Sequence, residues 1–268
     1  MPDLKKHFNL KREPFEKDIP VKDLYLTSSH KEVLSRLKYA SKQQKFVVFT
    51  ADCGMGKTTL LRALKQQLNP KNYEFFYLTD SNLTPTLMYR NMLAQLGLET
   101  RYYRGDSKEL LHVQLENLKK TQGKLVVVVI DEGHLLSKKM IEEVRFLLNY
   151  KMDSYSPMAL ILVGQNELSE KLYKESYAAV RQRINMICKL DYFTRKETEE
   201  YINSHLKSAG AKNILFSESS LDLIHKKSNG IARNINNICS LCLLNLASID
   251  AKTVDTSIVN NVIELEML

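Results

Sequence analysis

The stretch Ala51-Asp52-Cys53-Gly54-Met55-Gly56-Lys57-Thr58 follows directly on the apolar run Phe46-Val47-Val48-Phe49 and leads into Thr59-Leu60-Leu61-Arg62-Ala63-Leu64. An apolar strand, a glycine-rich turn closing on Lys-Thr and an amphipathic helix form the pattern of a phosphate-binding loop. A phosphate chain brings several negative charges, and a turn that opens a helix meets them with backbone N–H donors and the positive helix end. Gly54 and Gly56 allow the backbone to approach closely. In this reading Ala51, Asp52, Cys53, Gly54, Met55, Gly56, Lys57, Thr58 and Thr59 cradle the nucleotide, with Lys57 on the β- and γ-phosphates and the Thr58 hydroxyl on Mg²⁺. Ala51 stands where glycine is commoner, and it is small enough to keep the turn.

A second element supports the first. Leu125-Val126-Val127-Val128-Val129-Ile130 runs into Asp131-Glu132, which reads as a parallel strand buried on both faces with carboxylates at its C-terminal end. This is the Walker B arrangement. Asp131 is the magnesium-holding acid, and Glu132 the base that orients and deprotonates the attacking water.

A chain of 268 residues with 44% hydrophobic residues, 9 glycines and 6 prolines has room for one large α/β core and a smaller appended domain. No apolar run of membrane-spanning length occurs, and Met1-Pro2-Asp3-Leu4-Lys5-Lys6 leads into no signal region, so a cytoplasmic protein with no membrane contact is expected. The 4 cysteines fit that compartment. Cys239 and Cys242 form a C-x-x-C in an apolar helical segment without further metal-ligand partners, which points to core packing. The net charge of +8 favours a polyanionic partner through counterion release, although the lysines are spread along the chain.

Periodicity divides the chain into three. A lead segment, 1–44, is expected to pack on the ATPase core; it contains a helix at 29–40 with Ser29 and Glu32 as a capping box. Over 45–193, short apolar runs alternate with helical patterns: after the strand at Phe46 come Phe75-Phe76-Tyr77-Leu78, then Leu125 to Ile130, then Ala159-Leu160-Ile161-Leu162-Val163, then 184–190. That alternation predicts an α/β subdomain with a parallel five-stranded sheet covered by helices. Over 194–268 the strands stop, and four amphipathic segments at 195–208, 217–228, 231–247 and 256–266 predict a small helical lid domain.

Three further positions carry chemistry in this frame. Gln165 ends the fourth apolar run and is a candidate γ-phosphate sensor. Arg181 or Arg183, in Arg181-Gln182-Arg183-Ile184, is a candidate arginine finger for a neighbouring subunit's nucleotide, and the sequence does not choose between them. Arg233, in the first turn of the third lid helix, is placed to contact the γ-phosphate.

The ordered motifs resemble the AAA+ ATPases of the ExeA and TniB type, which include stand-alone transposition regulators related to TnsC and MuB. The likeness covers nearly the whole chain: Phe8-Asn9-Leu10 with Pro14-Phe15, Leu24-Tyr25-Leu26 before His30, the phosphate loop, Asp131-Glu132-Gly133-His134, Val163-Gly164-Gln165, Arg181-Gln182-Arg183-Ile184, and Gly230 with Arg233-Asn234-Ile235-Asn236. The resemblance implies an AAA+ P-loop NTPase that binds ATP and Mg²⁺, forms a homo-oligomeric ring or helical filament on double-stranded DNA, and recruits or activates a partner transposase or integrase. Gly133 stands where the family often has alanine, a mild departure that bears on turnover more than on binding.

Within such an oligomer the expected DNA contacts are Lys138 and Lys139, with Lys119, Lys120 and the Arg101-Tyr102-Tyr103-Arg104 stretch as further candidates. Three other functions compete. A secretion or cell-envelope ATPase of the ExeA type shares the module but carries a membrane helix and an envelope domain, which a chain ending at Leu268 is not expected to have. A helicase, suggested only by Asp131-Glu132-Gly133-His134, needs a second motor domain. A nucleotide switch would bind ATP and hydrolyse it slowly until a partner arrives.

Overall fold

The computed structural model describes residues 3–16, 18–100, 103–148, 156–249 and 251–266, with Phe146 and Glu266 described as backbone only. Twelve α-helices and five strands alternate along these residues: α1 (Leu4–His7), α2 (Ser28–Gln43), β1 (Phe46–Thr50), α3 (Lys57–Gln67), β2 (Tyr73–Leu78), α4 (Pro85–Gln95), α5 (Arg104–Lys120), β3 (Leu125–Ile130), α6 (Lys138–Leu148), β4 (Ala159–Gly164), α7 (Asn166–Tyr173), α8 (Ala178–Arg181), β5 (Met186–Lys189), α9 (Arg195–Ala209), α10 (Glu218–Ser228), α11 (Ala232–Ser248) and α12 (Thr256–Glu266). They group into two compact units, one made of Lys31–Cys53 with Leu60–Leu190 and the other of Met1–His30, Gly54–Thr59 and Asp191–Leu268.

The first unit is an α/β layer structure. Its five strands are all parallel in the order β2-β3-β4-β1-β5. Phe76 pairs with Val128, Val128 with Leu160, and Val48 with both Leu162 and Ile187. The sheet is apolar where helices cover both faces, so β1 and β4 are buried along their whole length and β3 is buried from Val126 onward. Met88, Tyr89, Leu111, Met140 and Leu168 from α4, α5, α6 and α7 close the core against Phe46, Val128 and Leu160. Because the strands are parallel, the residues that follow β1, β3 and β4 all emerge at one edge of the sheet, where ligands of open α/β sheets bind.

A buried carboxylate ties helices together inside this unit. Glu143 of α6 has a side chain only 4% exposed, and it accepts hydrogen bonds from Tyr89, Arg104 and Lys108. Burial pushes its carboxyl up, but the bonds from Tyr89 and Lys108 and the charges of Lys108 and Arg104 outweigh that and hold it below its ordinary value.

The second unit is built on α9 to α12. Ile202, Leu206, Ile224, Ile235, Ile238, Leu243 and Val259 form its core, and Leu4 and Phe15 of the N-terminal segment complete it. The lead segment is tied down by polar contacts as well as apolar ones. The Pro14 carbonyl lies 2.8 Å from His205 Nδ1, and Arg12 bonds to Asp23 at 3.0 Å and to Ser208 at 2.8 Å. Residues up to His30 therefore belong with the C-terminal helices, while α2 from Lys31 onward belongs with the sheet.

Two local details follow from capping chemistry. Helix α9 opens on a capping box in which Thr194 and Glu197 satisfy each other's backbone N–H groups. Helix α2 begins one residue earlier than the sequence pattern suggests, and Thr27 rather than Ser29 accepts from its first turn, at 3.2 Å from the His30 N–H. Ser29 accepts instead from the Asp191 N–H at 3.2 Å. Cys239 and Cys242 are fully buried in α11, where burial pushes the Cys242 thiol up to about 12, and among the described residues no group of three or more His, Cys, Asp or Glu is placed to hold a metal ion. No helix among the described residues is long and apolar enough to cross a membrane.

Candidate active site

The loop after β1 takes the form its glycines permit. Gly54 and Gly56 have φ of +83° and +93°, a region that side-chain-bearing residues seldom adopt. Ala51 has no such requirement, is fully buried, and donates its N–H to the Gly164 carbonyl at 3.2 Å, which explains why alanine is accepted there. Asp52 accepts a hydrogen bond from the Asn166 side chain at the start of α7. Met55 and Lys57 are buried, whereas Cys53 and Thr58 are exposed.

Gly54 also answers to the helical unit. The Arg233 N–H donates to the Gly54 carbonyl at 3.0 Å, and a Cβ added to Gly54 would lie 2.7 Å from the Arg233 Cβ. Arg233, expected near the phosphates from its place at the start of α11, therefore touches the loop itself. His30, named in the sequence only as part of a pattern, is a second neighbour. Its Nδ1 lies 2.7 Å from the Thr27 hydroxyl, and its Nε2 faces Gly56, 3.6 Å from where a Cβ would be. Burial pushes its imidazole below the ordinary value, opposed by a hydrogen bond to the Met55 backbone.

The carboxylates after β3 sit in unlike surroundings. Asp131 is 3% exposed and accepts from the Tyr77 hydroxyl at 2.6 Å and from the Glu132 N–H at 2.8 Å. Tyr77, near the end of β2, carried no sequence signal beyond its place in an apolar run; only the pairing of β2 with β3 brings it to Asp131. Glu132 has φ of +54°, a left-handed backbone that costs roughly 1–2 kcal/mol in a non-glycine residue. Its carboxylate lies 3.6 Å from His134 Nδ1. Gln165, after β4, is not a bare surface amide, because its Nε2 lies 3.2 Å from His134 Nε2.

The two arginines before β5 separate. Arg181 donates to the carbonyls of Leu172 at 3.1 Å and Tyr173 at 2.7 Å, closing the C-terminal end of α7 within its own chain. Arg183 is half-buried. The lysine candidates do not converge on one face. Lys138 and Lys139 open α6 beyond the C-terminal end of β3, whereas Lys119 and Lys120 end α5 before its N-terminal end. Arg104 is engaged with Glu143, and Arg101 with Tyr102 lies outside the described residues.

The loop's donors suit a phosphate chain, and the acid after β3 suits a metal ion. The loop offers two glycine-shaped turns and a lysine, and Asp131 is held as an oriented carboxylate by a hydroxyl from the next strand. Residues 40–172 match the family model described as AAA domain. General secretion pathway protein A of Aeromonas hydrophila is 32% identical over 246 residues, which cover 88% of this chain and 44% of that protein, so the chain spans less than half the length of this relative.

Among solved structures, the ORC2 protein of Aeropyrum pernix, in its ADPNP-ADP complexes, superposes with a TM-score of 0.71 at 14% identity, covering 96% of this chain and 72% of that one. Cdc6p of Pyrobaculum aerophilum gives a TM-score of 0.68 at 16% identity over 90% of this chain and 67% of that one. The RuvB Holliday junction branch migration motor of Thermotoga maritima gives 0.60 at 21% identity over 96% and 76%. The fold is that of the AAA+ P-loop NTPases.

Proposed function

We propose that this AAA+ chain binds ATP with Mg²⁺ and hydrolyses it, and that it uses the cycle to control a macromolecular partner. The carrying observation is the sheet order, in which β3, β4 and β1 are neighbours and send Asp131-Glu132, Gln165 and Ala51-Asp52-Cys53, the start of the phosphate loop, to one edge. Gly54, Gly56 and Lys57 hold the phosphates, and Thr58 and Asp131 are the groups suited to hold the magnesium. The bound ion supplies charge neutralisation at the phosphate oxygens. Glu132 orients the attacking water and takes its proton. Gln165 offers an amide N–H to the γ-phosphate, and Arg233 adds a cation beside the loop.

In a homo-oligomer a neighbouring subunit supplies the arginine finger. Arg181 and Arg183 are both candidates; Arg181 also closes α7 in its own chain. The test is direct. Lys57→Ala should abolish saturable binding of a fluorescent ATP analogue, whereas Glu132→Gln should keep binding and slow hydrolysis about 10²–10⁴-fold. Equal binding by Lys57→Ala and the native chain would overturn the assignment.

The partner has two readings. Identity to the secretion protein across 88% of the chain supports a nucleotide-driven component of a secretion or cell-envelope machine, acting on a protein partner. The net charge of +8 supports the other, an oligomeric ring or filament on double-stranded DNA that selects target sites for a transposase or integrase. The first has the sequence match behind it and is preferred. Hydrolysis measured with and without duplex DNA, together with electron microscopy in a nonhydrolysable analogue, separates them: DNA-dependent assembly would favour transposition, and DNA indifference the secretion-type partner.

A further inference from the structure

We propose that His134 is a positioning residue that joins the γ-phosphate-sensing Gln165 to the base Glu132, so that the state of the sensor sets the place of the base. The inference rests on the ATPase reading above.

The three side chains form a row at the sheet edge. Gln165 Nε2 and His134 Nε2 are 3.2 Å apart, and His134 Nδ1 faces Glu132 Oε2 at 3.6 Å. The His134 side chain is 13% exposed, and its Nδ1 has no hydrogen-bond partner among the described residues. A buried polar atom left without a partner costs stability and needs an explanation. A proton on Nδ1 gives one. Nε2 then accepts from the Gln165 amide, while the Nδ1–H points at a carboxylate across a gap that a small shift of the Glu132 side chain closes. The opposite assignment would set a bare nitrogen against a carboxylate.

The backbone is built to bring that ring to its place. A Cβ on Gly133 would come within 2.8 Å of the Leu162 side chain and 3.0 Å of the Val163 carbonyl, and one on Gly164 within 2.9 Å of Leu168 and 3.1 Å of the His134 nitrogen. Without those two methyl groups, the turn at Gly133–Leu135 lies directly on the end of β4, beside Gln165. Lys171 of α7 then fixes the turn, donating to the His134 carbonyl at 3.0 Å and the Leu136 carbonyl at 2.6 Å. Gly133, expected to be a mild departure, is thus a requirement of this packing. Both contacts of the ring are made by residues whose expected roles are chemical. A histidine kept for packing alone would need neither.

When Gln165 turns its amide to a γ-phosphate oxygen, the contact to Nε2 changes, the ring is free to swing, and Nδ1 closes on Glu132 and holds it towards the attacking water. Without a γ-phosphate the ring stays with Gln165, and Glu132 is left unheld.

The test is a single-turnover assay with enzyme in excess over labelled ATP, run on the full chain carrying His134→Ala, His134→Gln, Gln165→Ala or both alanine substitutions, beside binding of a fluorescent ATP analogue. His134→Ala should slow cleavage about tenfold, the scale of one lost hydrogen bond, with ATP affinity unchanged within about twofold. Gln165→Ala should slow it comparably, and the double variant should be no slower than the slower single one. In a Glu132→Gln background, His134→Ala should add nothing.

Cleavage by His134→Ala at the native rate, or a double variant whose loss is the product of the two single losses, overturns the proposal. If His134→Ala also loses ATP affinity, His134→Gln decides: its amide oxygen can accept from Gln165 and its amide N–H can donate to Glu132, and recovery of at least half the native rate upholds the role while failure to recover with intact binding refutes it. A native chain that binds no ATP would instead remove the ATPase reading beneath it.

Discussion

Glu143 and His134 are two polar side chains drawn into the same α/β unit, and their surroundings differ. Glu143 is ringed by Tyr89, Arg104 and Lys108, which meet its charge with donors from α4 and α5. His134 keeps one ring nitrogen without a partner, opposite a carboxylate that stands just out of reach. A buried charge with its partners in place has no work left except to hold helices together. A buried nitrogen with an open contact holds less and can change partners. The two therefore distinguish structural polarity from functional polarity inside one core, and they should respond differently to change.

The largest expected effect belongs to the satisfied cluster. Glu143→Ala leaves two cations and a hydroxyl facing an empty space and should lower stability by about 3 kcal/mol, the low end for a broken buried pair because Arg104 and Lys108 keep part of their hydration. Urea unfolding measures it, and a loss under about 1 kcal/mol would dissolve the contrast. The variant's hydrolysis per folded molecule should stay near native.

Next comes the turn beneath His134. Gly133→Ala drives a methyl group against Leu162 and the Val163 carbonyl, and should cost about 1–3 kcal/mol of stability. Unlike Glu143→Ala, it should also slow hydrolysis with ATP binding retained, and equal rates would separate the turn from the chemistry.

Asp131 stands between the extremes, since it has one side-chain partner. Tyr77→Phe removes that hydroxyl and should weaken the Mg²⁺ dependence of hydrolysis by up to about tenfold, for a hydrogen bond worth about 1 kcal/mol. A magnesium titration of the rate reads it directly.

Acid is the gentlest probe. Glu143 is held below its ordinary value of 4.5, so its share of the stability is fully present above that pH and is lost as pH falls through the lower folded value. His112 on α5, lowered chiefly by burial and by the charge of Lys108, acts earlier: the folded chain resists its protonation, so stability begins to fall below pH 6.5. Stability profiles of the native chain and Glu143→Gln should run parallel from pH 7 to about 5 and converge below it. Parallel curves throughout would mean that the cluster does not depend on the carboxylate's charge.

Much of this was legible in the sequence, and what was not has a common cause. The strands at Phe46, Leu125 and Ala159 and the four C-terminal helices are written as runs and periods, so their bounds shift by only a residue or two. The phosphate loop and Asp131-Glu132 are contiguous motifs, readable for the same reason. Tyr77, Tyr89 and Glu143 meet partners on other elements, and an isolated tyrosine or glutamate in an ordinary run carries no mark of its partner. The place of Gly133 depended on Leu162 and Val163, nearly thirty residues away. The lead segment joined the C-terminal helices because Leu4 and Phe15 fill a core whose other members begin at Phe193. His134 stood in plain view within its motif, but its meaning required Gln165 beside it.

Helix α7 is fastened at every level. Its first residue, Asn166, grips Asp52; Lys171 in its middle grips the turn at His134; and Arg181 closes the carbonyls at its far end. Eight residues of helix span about 12 Å, too short to bend. Such a segment ties the outer end, where Tyr173 meets solvent, to the start of the loop that would carry the phosphates. Whatever touches that outer end touches a helix whose other end is bonded to the phosphate loop's first acid.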